Sequence, residues 1–345
     1  GLGDVYKRQV NSSAHSETHA MMLKELYLRR RVIEICEQKE KDSYDETQDV
    51  FDTYDSLLTE LDKVNQEISR VQTTNFLDIV VDVEAEIRKA GENKTYTTGI
   101  KTTLSKLDEN TLGWQRGDLI IVAARPSMGK TAFAIDVARK QSKYFQIPVG
   151  IFSLEMSAHQ LVNRMIAAES RIPLHQIRKG GMIKQQWHDF NKSVNQIKSL
   201  PIQICDKGGL SINTVCSIAK NWHLKHKIEA LYIDYLQLIT CEGMSRNINR
   251  EQEISTISRS LKALAKDLNI PVIALSQLSR ACESRSDKKP MLSDLRESGA
   301  IEQDADIVLF PFRPNYYFPN EDENRCTLIL AKNRNGKTGE FDVVF

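Results

Sequence analysis

The residues with the clearest chemistry lie in the stretch ARPSMGKT, which runs from Ala124 to Thr131. An apolar run, Leu119 to Val122, precedes it, and a helix-forming run follows it from Ala132. Glycine, lysine and threonine at a strand-to-helix turn are typical of a Walker A phosphate loop. There the backbone N–H groups face an anion, and the helix N-terminus adds its positive dipole end. The pattern predicts a phosphate-binding site at this turn.

Each loop residue has an expected task. Gly129 leaves room for a phosphate, Lys130 reaches the β- and γ-phosphates, and Thr131 offers its hydroxyl to Mg²⁺. The standard loop has glycine where this chain has Ala124, the smallest departure possible, so we interpret the loop as a working variant. The predicted nucleotide-binding residues in the loop and helix start are Ser127, Met128, Gly129, Lys130, Thr131 and Ala132.

Three more predicted strands end in a polar residue near this loop. Asp234 closes the run LYID and fits a Walker B acid, which holds Mg²⁺ through the ion's water shell. Glu155 follows FSL, where an acid could polarise the attacking water, although an acid just before a helix is also favourable for its dipole. Gln277 ends the next strand and could sense the γ-phosphate; taken alone it is an ordinary surface residue.

The elements that must position these residues alternate between short apolar runs and helical runs, which predicts a mostly parallel sheet covered by helices. Ligands in such sheets bind at the carboxyl ends of the strands, where the loop lies. The predicted strands are 119–123, 149–154, 202–205, 230–234, 272–276, 307–310 and 327–331. The predicted helices are 130–143, 157–169, 184–198, 211–226 and 250–268.

The first hundred residues predict an α-helical appendage. Helices are expected over 17–38 and 46–72, joined by a turn at 39–45, and a third amphipathic helix over 76–90 precedes a polar linker. The apolar residues of the second helix recur at heptad spacing: Val50, Tyr54, Leu57, Leu61, Val64 and Ile68. Two such helices form a hairpin, which serves either stability or oligomerisation; the pattern favours neither.

Composition excludes several classes of protein. The net charge of +1 gives no global field for nucleic acid, so any such site must be a local patch. The six cysteines have no zinc-ligand spacing and are expected to be free thiols in the cytoplasm. No apolar run is long enough to span a bilayer, so no membrane association is expected. Residues 1–9 lack periodicity and are expected to be a non-native scar.

Six stretches in this order resemble the DnaB-type replicative helicases, a family of RecA-like hexameric motors. They are ARPSMGKT, FSLEMS, YIDYLQLI, ISRSLKALAKDLNIPVIALSQLSR, LSDLRESGAIEQDADIVLF and AKNRNGKTG. The resemblance implies an α/β fold: a RecA-like P-loop NTPase core over 100–345, expected to be truncated at its C-terminus. The hairpin at 10–75 is similar to the distal part of the family's N-terminal collar, and 76–99 to its linker helix and linker.

The resemblance also implies roles that the residues alone leave open. Glu155 would be the general base, Gln277 would couple nucleotide state to the DNA loops, and Arg164 matches a family residue near the nucleotide. Lys332 and Arg334 match a pair inserted into the ATP site of the next subunit; on composition alone they form a solvated basic hairpin. The implied catalytic residues are Lys130, Glu155, Gln277, Lys332 and Arg334.

The implied activity is ATP hydrolysis with Mg²⁺ by a homohexamer that moves on single-stranded DNA and unwinds forked DNA, with primase and a helicase loader as partners. Segment 280–304 is polar and has no aromatic residue, so we expect contacts to the DNA backbone rather than base stacking. Arg296, Glu297 and Gly299 match the family's backbone-contacting turn. Further phosphate attraction is expected from Arg280, Arg285, Lys288 and Lys289.

Two other functions use the same core. One is a RecA-like DNA-dependent ATPase, of recombinase, clock or loader type, that does not unwind DNA. The other is an ATP-gated scaffold or loader-binding ring without catalysis. The FSLEM and RESGAIEQDAD stretches favour the helicase, and the intact Glu155 and Asp234 argue against the scaffold. Strand displacement and ATP turnover discriminate among the three.

Overall fold

The structure is a computed structural model that describes residues 13–45, 49–69, 76–92, 97–241 and 250–344. The chain divides into two compact units, Gly1–Ala85 and Glu86–Phe345. The scar expected at 1–9 lies outside the described residues, and the predicted domain boundaries stay predictions. Within the described part of the chain, no helix combines the length and the apolar character needed to cross a membrane.

An eight-stranded sheet forms the centre of the larger unit, with strand order β3-β2-β4-β5-β1-β6-β7-β8. The first six strands in this order are parallel, whereas β7 runs antiparallel to both β6 and β8. The mostly parallel sheet is therefore confirmed. The strands are β1 Leu119–Ala124, β2 Val149–Ser153, β3 Ile202–Cys205, β4 Ala230–Asp234, β5 Val272–Gln277, β6 Ile307–Phe312, β7 Arg325–Asn333 and β8 Gly339–Val344.

Helices cover the sheet. The helices of this unit are α4 Ser105–Thr111, α5 Lys130–Phe145, α6 Ala158–Ser170, α7 Leu174–Lys179, α8 Lys184–Lys198, α9 Ile212–His226, α10 Arg250–Leu268, α11 Gly299–Asp304 and α12 Pro314–Tyr317. Short 3-10 helices occupy Leu236–Leu238, Arg280–Ser284 and Leu292–Ser298.

Strand β1 lies in the interior and holds the phosphate loop at its carboxyl end. All six of its residues are buried, as expected for a parallel strand covered on both faces. Because side chains alternate along a strand, Leu119 and Ile121 join one hydrophobic core with α9 and α10. Ile120 and Val122 join a second core with α5 and α6. The loop that follows β1 is thus anchored by two cores.

The smaller unit contains α1 Ser13–Ser43 and α2 Val50–Ser69, and α3 Phe76–Glu92 follows them. Helices α1 and α2 pack against each other, which confirms the hairpin. A turn was predicted at 39–45. Its predicted start is wrong, because α1 continues to Ser43. The Lys39 ammonium supports this last turn by pairing with Asp42 at 3.0 Å, and it also bonds Ser56 of α2 at 2.8 Å and lies 3.6 Å from Glu60.

The heptad seam of α2 is only partly buried. Val64 is buried and Leu57 is half-buried, but three of the predicted positions are exposed: Val50, Tyr54 and Leu61. The side chain of Ile68 lies outside the described residues. The bonds from Lys39 turn the face with Ser56 toward α1, so the seam prediction is wrong for the three exposed positions.

Other differences follow from strand pairing and from short elements. Strand β7 extends beyond the predicted 327–331 because it pairs with a neighbour on each side. Helices α4 and α7 were not predicted, since one or two turns show too little periodicity. Segment 280–304, predicted as a surface loop, instead contains two 3-10 helices and α11.

Candidate nucleotide-binding site

A cavity of about 540 Å³ lies at the carboxyl edge of the sheet, where β1, β4 and β5 end. This is the edge at which ligands bind in parallel α/β sheets. The residues around it come from the phosphate loop and the start of α5, from the end of β5, from the segments after β2, β4 and β6, and from α6. They are Ala124, Arg125, Pro126, Ser127, Gly129, Lys130, Thr131, Ala132, Glu155, Met156, Arg164, Tyr235, Gln277 and Arg313.

The phosphate loop turns sharply between β1 and α5. Gly129 has a φ of 88°, a left-handed conformation that glycine adopts without cost, and Ser127 has a φ of 69°. Helix α5 then begins at Lys130, so its free N–H groups lie at the cavity. Met128 differs from its neighbours: its side chain is buried outside the cavity lining, and its N–H donates to the Arg125 carbonyl at 3.3 Å.

Beneath the loop, Thr131 and Asp234 form a close pair. The Thr131 hydroxyl donates to Asp234 Oδ2 at 2.7 Å, and Lys130 Nζ lies 3.6 Å from Oδ1. Oδ1 is buried and has no hydrogen-bond partner. A buried carboxylate oxygen beside a hydroxyl suits a hard divalent cation, so the pair fits Mg²⁺. The described residues contain no group of three acidic, histidine or cysteine ligands.

Lys130 is a cation of the site whose side chain is only 13% exposed. Burial lowers the pKa of its ammonium, and the negative charges of Asp234 and Glu155 act in the opposite direction. The ammonium also lies over the ring of Tyr235, 4.3 Å from its centroid, at a distance suited to a cation–π contact. Lys130 thus has an acid and an aromatic ring of its own chain as neighbours at the cavity.

The structure brings Glu155, Arg164 and Gln277 to the same cavity, as their predicted roles require. Gln277 is held by a residue that sequence reasoning missed. The Gln237 amide donates to Ser276 Oγ at 2.9 Å and to the Gln277 carbonyl at 3.3 Å, and its oxygen accepts from the Gln277 N–H at 3.3 Å. Gln237 lies three residues after Asp234, so its place in the YIDYLQLI stretch was the available signal.

Other lining residues were also missed. Tyr235 follows Asp234 directly, and Arg125 lies inside the phosphate loop, where it bonds Glu283 at 2.9 Å and the Leu278 carbonyl at 3.0 Å. Their neighbourhood in the sequence could have identified both. Arg313 follows β6, and no motif marks it.

Lys332 and Arg334 lie at the opposite, amino edge of the sheet. Asn333 pairs with Ile307, the first residue of β6, because β7 is antiparallel. Arg334 bonds Asp306 at 3.2 Å, and Lys332 Nζ donates to the Glu302 carbonyl at 2.6 Å. The structure therefore does not bring this pair to the cavity of the same chain.

The predicted DNA-contacting turn is described in part. Gly299 begins α11, while the side chains of Arg296 and Glu297 lie outside the described residues.

Three of the basic residues that were expected to attract phosphate make contacts within the chain, and that expectation stays a prediction. Arg285 bonds Asp294 at 2.8 Å, Lys289 bonds Glu340 at 2.7 Å, and Lys288 bonds the Glu283 carbonyl. They hold the segment in place.

Comparison with known proteins places the chain in a family. The model of the DnaB-like helicase C terminal domain matches residues 99–345. The replicative DNA helicase DnaC of Bacillus subtilis (strain 168) is 40% identical over 341 residues, 97% of this chain and 74% of that protein. The replicative DNA helicase DnaB of Geobacillus stearothermophilus is 41% identical with the same coverage.

Two solved structures share the fold. A DnaB-like replicative helicase, described with its interactions with primase, superposes with a TM-score of 0.78 at 33% identity, over 97% of this chain and 78% of that one. A solved ATPase domain gives a TM-score of 0.73 at 37% identity, over 79% of this chain and 96% of that one. The mostly parallel sheet, the phosphate loop and these matches agree: the chain belongs to the DnaB-like replicative DNA helicases, which are ATP-hydrolysing enzymes.

Proposed function

We propose that the cavity binds ATP with Mg²⁺, that a neighbouring subunit completes it, and that its turnover drives a hexameric ring along DNA. The observation that carries this proposal is the division of the site between the two edges of the sheet. The phosphate loop and its acids lie at the carboxyl edge, and Lys332 and Arg334 lie at the amino edge.

The residues of the carboxyl edge bind the nucleotide. The loop N–H groups and Lys130 hold the phosphates, while Thr131 and Asp234 hold Mg²⁺ through the hydroxyl and the carboxylate. When bound, the ion neutralises charge on the phosphate oxygens. Arg164 lies at the cavity rim, where it contacts the nucleotide.

Glu155 acts as the general base. It lines the cavity across from the loop and can accept a proton from the attacking water. Gln277 senses the γ-phosphate, and its link to Gln237 connects the end of β5 with the segment after Asp234. Loss of the γ-phosphate is thereby transmitted to the carboxyl ends of both β4 and β5.

Lys332 and Arg334 act in trans. Strand β1 has six residues, so its two ends are roughly 16 Å apart at about 3.3 Å per residue. Arg334 is bonded beside the first residue of β1, and the cavity lies beyond the last. A cation at the amino edge can stabilise the transferring phosphoryl group only in another subunit, which favours a ring.

The DNA ligand is a single strand in the ring channel, with forked DNA as the substrate for unwinding. Arg296, Glu297 and Gly299 contact its backbone by the family resemblance. A primase partner is supported by the solved relative that is described with its interactions with primase, and a loader by the family alone. The proposed compartment is the cytoplasm, in which the six free cysteines stay reduced.

The testing experiment measures ATP hydrolysis with and without single-stranded DNA, together with mass by light scattering and displacement of a strand from forked DNA. Wild-type chain is compared with Arg334→Ala. We expect a hexamer whose turnover rises with DNA and falls about a thousandfold in the variant. Turnover by a monomer, indifferent to DNA and to Arg334, would contradict the proposal.

A further inference from the structure

The amino edge of the sheet holds a cluster of charges around the buried Asp306, the residue just before β6. The side chain of Asp306 is only 3% exposed. Its Oδ2 accepts a hydrogen bond from the Leu119 N–H at 2.9 Å and another from Lys262 Nζ, while Oδ1 accepts from Arg334 at 3.2 Å. Asp118 lies 3.9 Å from Lys262 and completes this amino-edge cluster: Asp118, Lys262, Asp306 and Arg334.

Arg334 is fixed at two points and still faces solvent. Its backbone N–H donates to the Asp306 carbonyl at 2.9 Å, and one guanidinium nitrogen bonds the carboxylate. The side chain nevertheless remains 65% exposed. A guanidinium has five N–H donors in a rigid fork, so one bond fixes its orientation and leaves the others available.

Asp306 is suited to hold a cation because it stays ionised. Burial alone would raise the pKa of its carboxyl group, but the hydrogen bonds from Lys262, Leu119 and Arg334 outweigh burial and hold the pKa below its usual range. The carboxylate therefore carries its negative charge throughout the neutral range.

We propose that Asp306 is a positioning residue for Arg334, orienting it toward the ATP site of the neighbouring subunit; this rests on the proposed trans role of Arg334. A free surface arginine samples many rotamers, and a displacement of about 1 Å can cost up to a hundredfold in rate. The bond to Asp306 removes that freedom in advance. Asp306 sits at the amino edge and does not line the cavity of its own chain.

The test separates positioning from a role in the fold alone. Asp306→Asn keeps an oxygen for the Leu119 N–H and removes the charge that Arg334 uses. Lys262→Gln is the matched control. It breaks the other ion pair of the same cluster and leaves in place the Asp306 carboxylate that binds Arg334. The full chain is measured with Asp306→Asn, Arg334→Ala, their double variant and Lys262→Gln, by DNA-stimulated ATPase and by thermal unfolding.

We expect Asp306→Asn to lower kcat roughly tenfold with KM for ATP unchanged, as for an interaction made in the transition state. The double variant should be no slower than Arg334→Ala, because both changes remove one function. Lys262→Gln should keep kcat within about twofold, even if its unfolding midpoint falls as much as that of Asp306→Asn.

Two results would overturn the inference while the proposed function stands. One is a double variant about tenfold slower than Arg334→Ala, and the other is a loss of kcat in Lys262→Gln that equals the loss in Asp306→Asn. An Arg334→Ala variant as active as wild type would overturn both, since the trans role itself would then be absent.

Discussion

The carboxyl edge and the amino edge of the sheet differ in the charges that they present and in how those charges are held. At the carboxyl edge the cation Lys130 is largely shielded from solvent beside Asp234 and Tyr235, within a cavity. At the amino edge the cation Arg334 is held by a buried acid while it faces solvent. One edge is organised to receive a ligand, and the other to present a group outward. The difference supports the proposal that one subunit carries two complementary half-sites.

We expect the largest effect when one variant is defective at the carboxyl edge, a second is defective at the amino edge, and the two variants are then mixed. Lys130→Ala removes the phosphate ligand and should lower ATPase roughly a thousandfold or more, as should Arg334→Ala. A mixture of these two variants should recover activity, because some interfaces combine an intact carboxyl edge with an intact amino edge.

A mixture of Lys130→Ala with Asp234→Asn is the control for this recovery. Both changes lie at the carboxyl edge, so every interface keeps a defect and no recovery is expected. Recovery in this control mixture, measured by DNA-stimulated phosphate release, would contradict the division of the site between the edges.

The next largest effect concerns the general base. Glu155→Gln should lower kcat about a hundredfold to a thousandfold, since the amide cannot accept the proton of the attacking water. Nucleotide affinity, measured with a fluorescent ATP analogue, should stay within a few-fold. Glu109→Gln, an exposed glutamate on α4, is the matched control and should behave as wild type. A Glu155→Gln variant with a normal kcat would remove Glu155 from the mechanism.

A smaller effect is expected at Gln277. Gln277→Ala should leave basal ATPase within about threefold and lower its stimulation by single-stranded DNA about tenfold, a typical size for coupling between two sites. Gln203→Ala on β3 changes the same type of residue away from the cavity and is the control. Basal and stimulated rates falling together would show that Gln277 serves nucleotide binding instead of coupling.

The smallest effect is a pH dependence of stability at the amino edge. Burial and the neighbouring Asp306 raise the pKa of Asp118 from 3.8 to about 6. Between these values the folded state binds more protons than the unfolded state, so the free energy of unfolding falls as pH rises from about 4 to 6. Above pH 6 the Asp118 carboxylate is ionised in the folded chain. Its negative charge is unfavourable there, and the Asp118→Asn substitution removes it.

Asp118→Asn should therefore be more stable than wild type at pH 8, by about 1 kcal/mol after allowance for solvent screening, or about 2–4 °C in Tm. The difference should shrink as pH falls and vanish only near pH 4, below which Asp118 is protonated in both the folded and the unfolded chain. Thermal unfolding at both pH values checks this, with the exposed Asp322→Asn as control. A stabilisation independent of pH would have another cause than the charge.

Much of the carboxyl edge could be predicted from the sequence. The phosphate loop, Asp234 and Glu155 each lie at the carboxyl end of a buried apolar strand, and parallel strands bring these ends together. Strands β3 and β4 and helices α8 and α10 have the predicted bounds. These elements are long or strongly apolar, so local pattern determined them.

The amino edge could not be predicted in the same way. The place of Arg334 depends on β7 running antiparallel to β6, and periodicity does not give strand direction. The hydrogen bond that Arg334 donates to Asp306 joins residues 28 apart in the sequence, and it depends on that strand pairing. Arg313 was missed for a related reason, because no local motif marks it. Gln237 lies in the YIDYLQLI stretch, but its bonds to Ser276 and Gln277 are tertiary contacts that the stretch alone does not give.

The position of Lys130 over Tyr235 has a consequence for the speed of the catalytic cycle. A buried ammonium left without partners would be costly, and it would keep a spent phosphate in place. Here the ring at 4.3 Å and the carboxylate at 3.6 Å are ready to take over the charge as a product departs. If the cavity binds ATP as proposed, we expect these side chains, which are already in position, to favour release of ADP and so to shorten the time between successive steps.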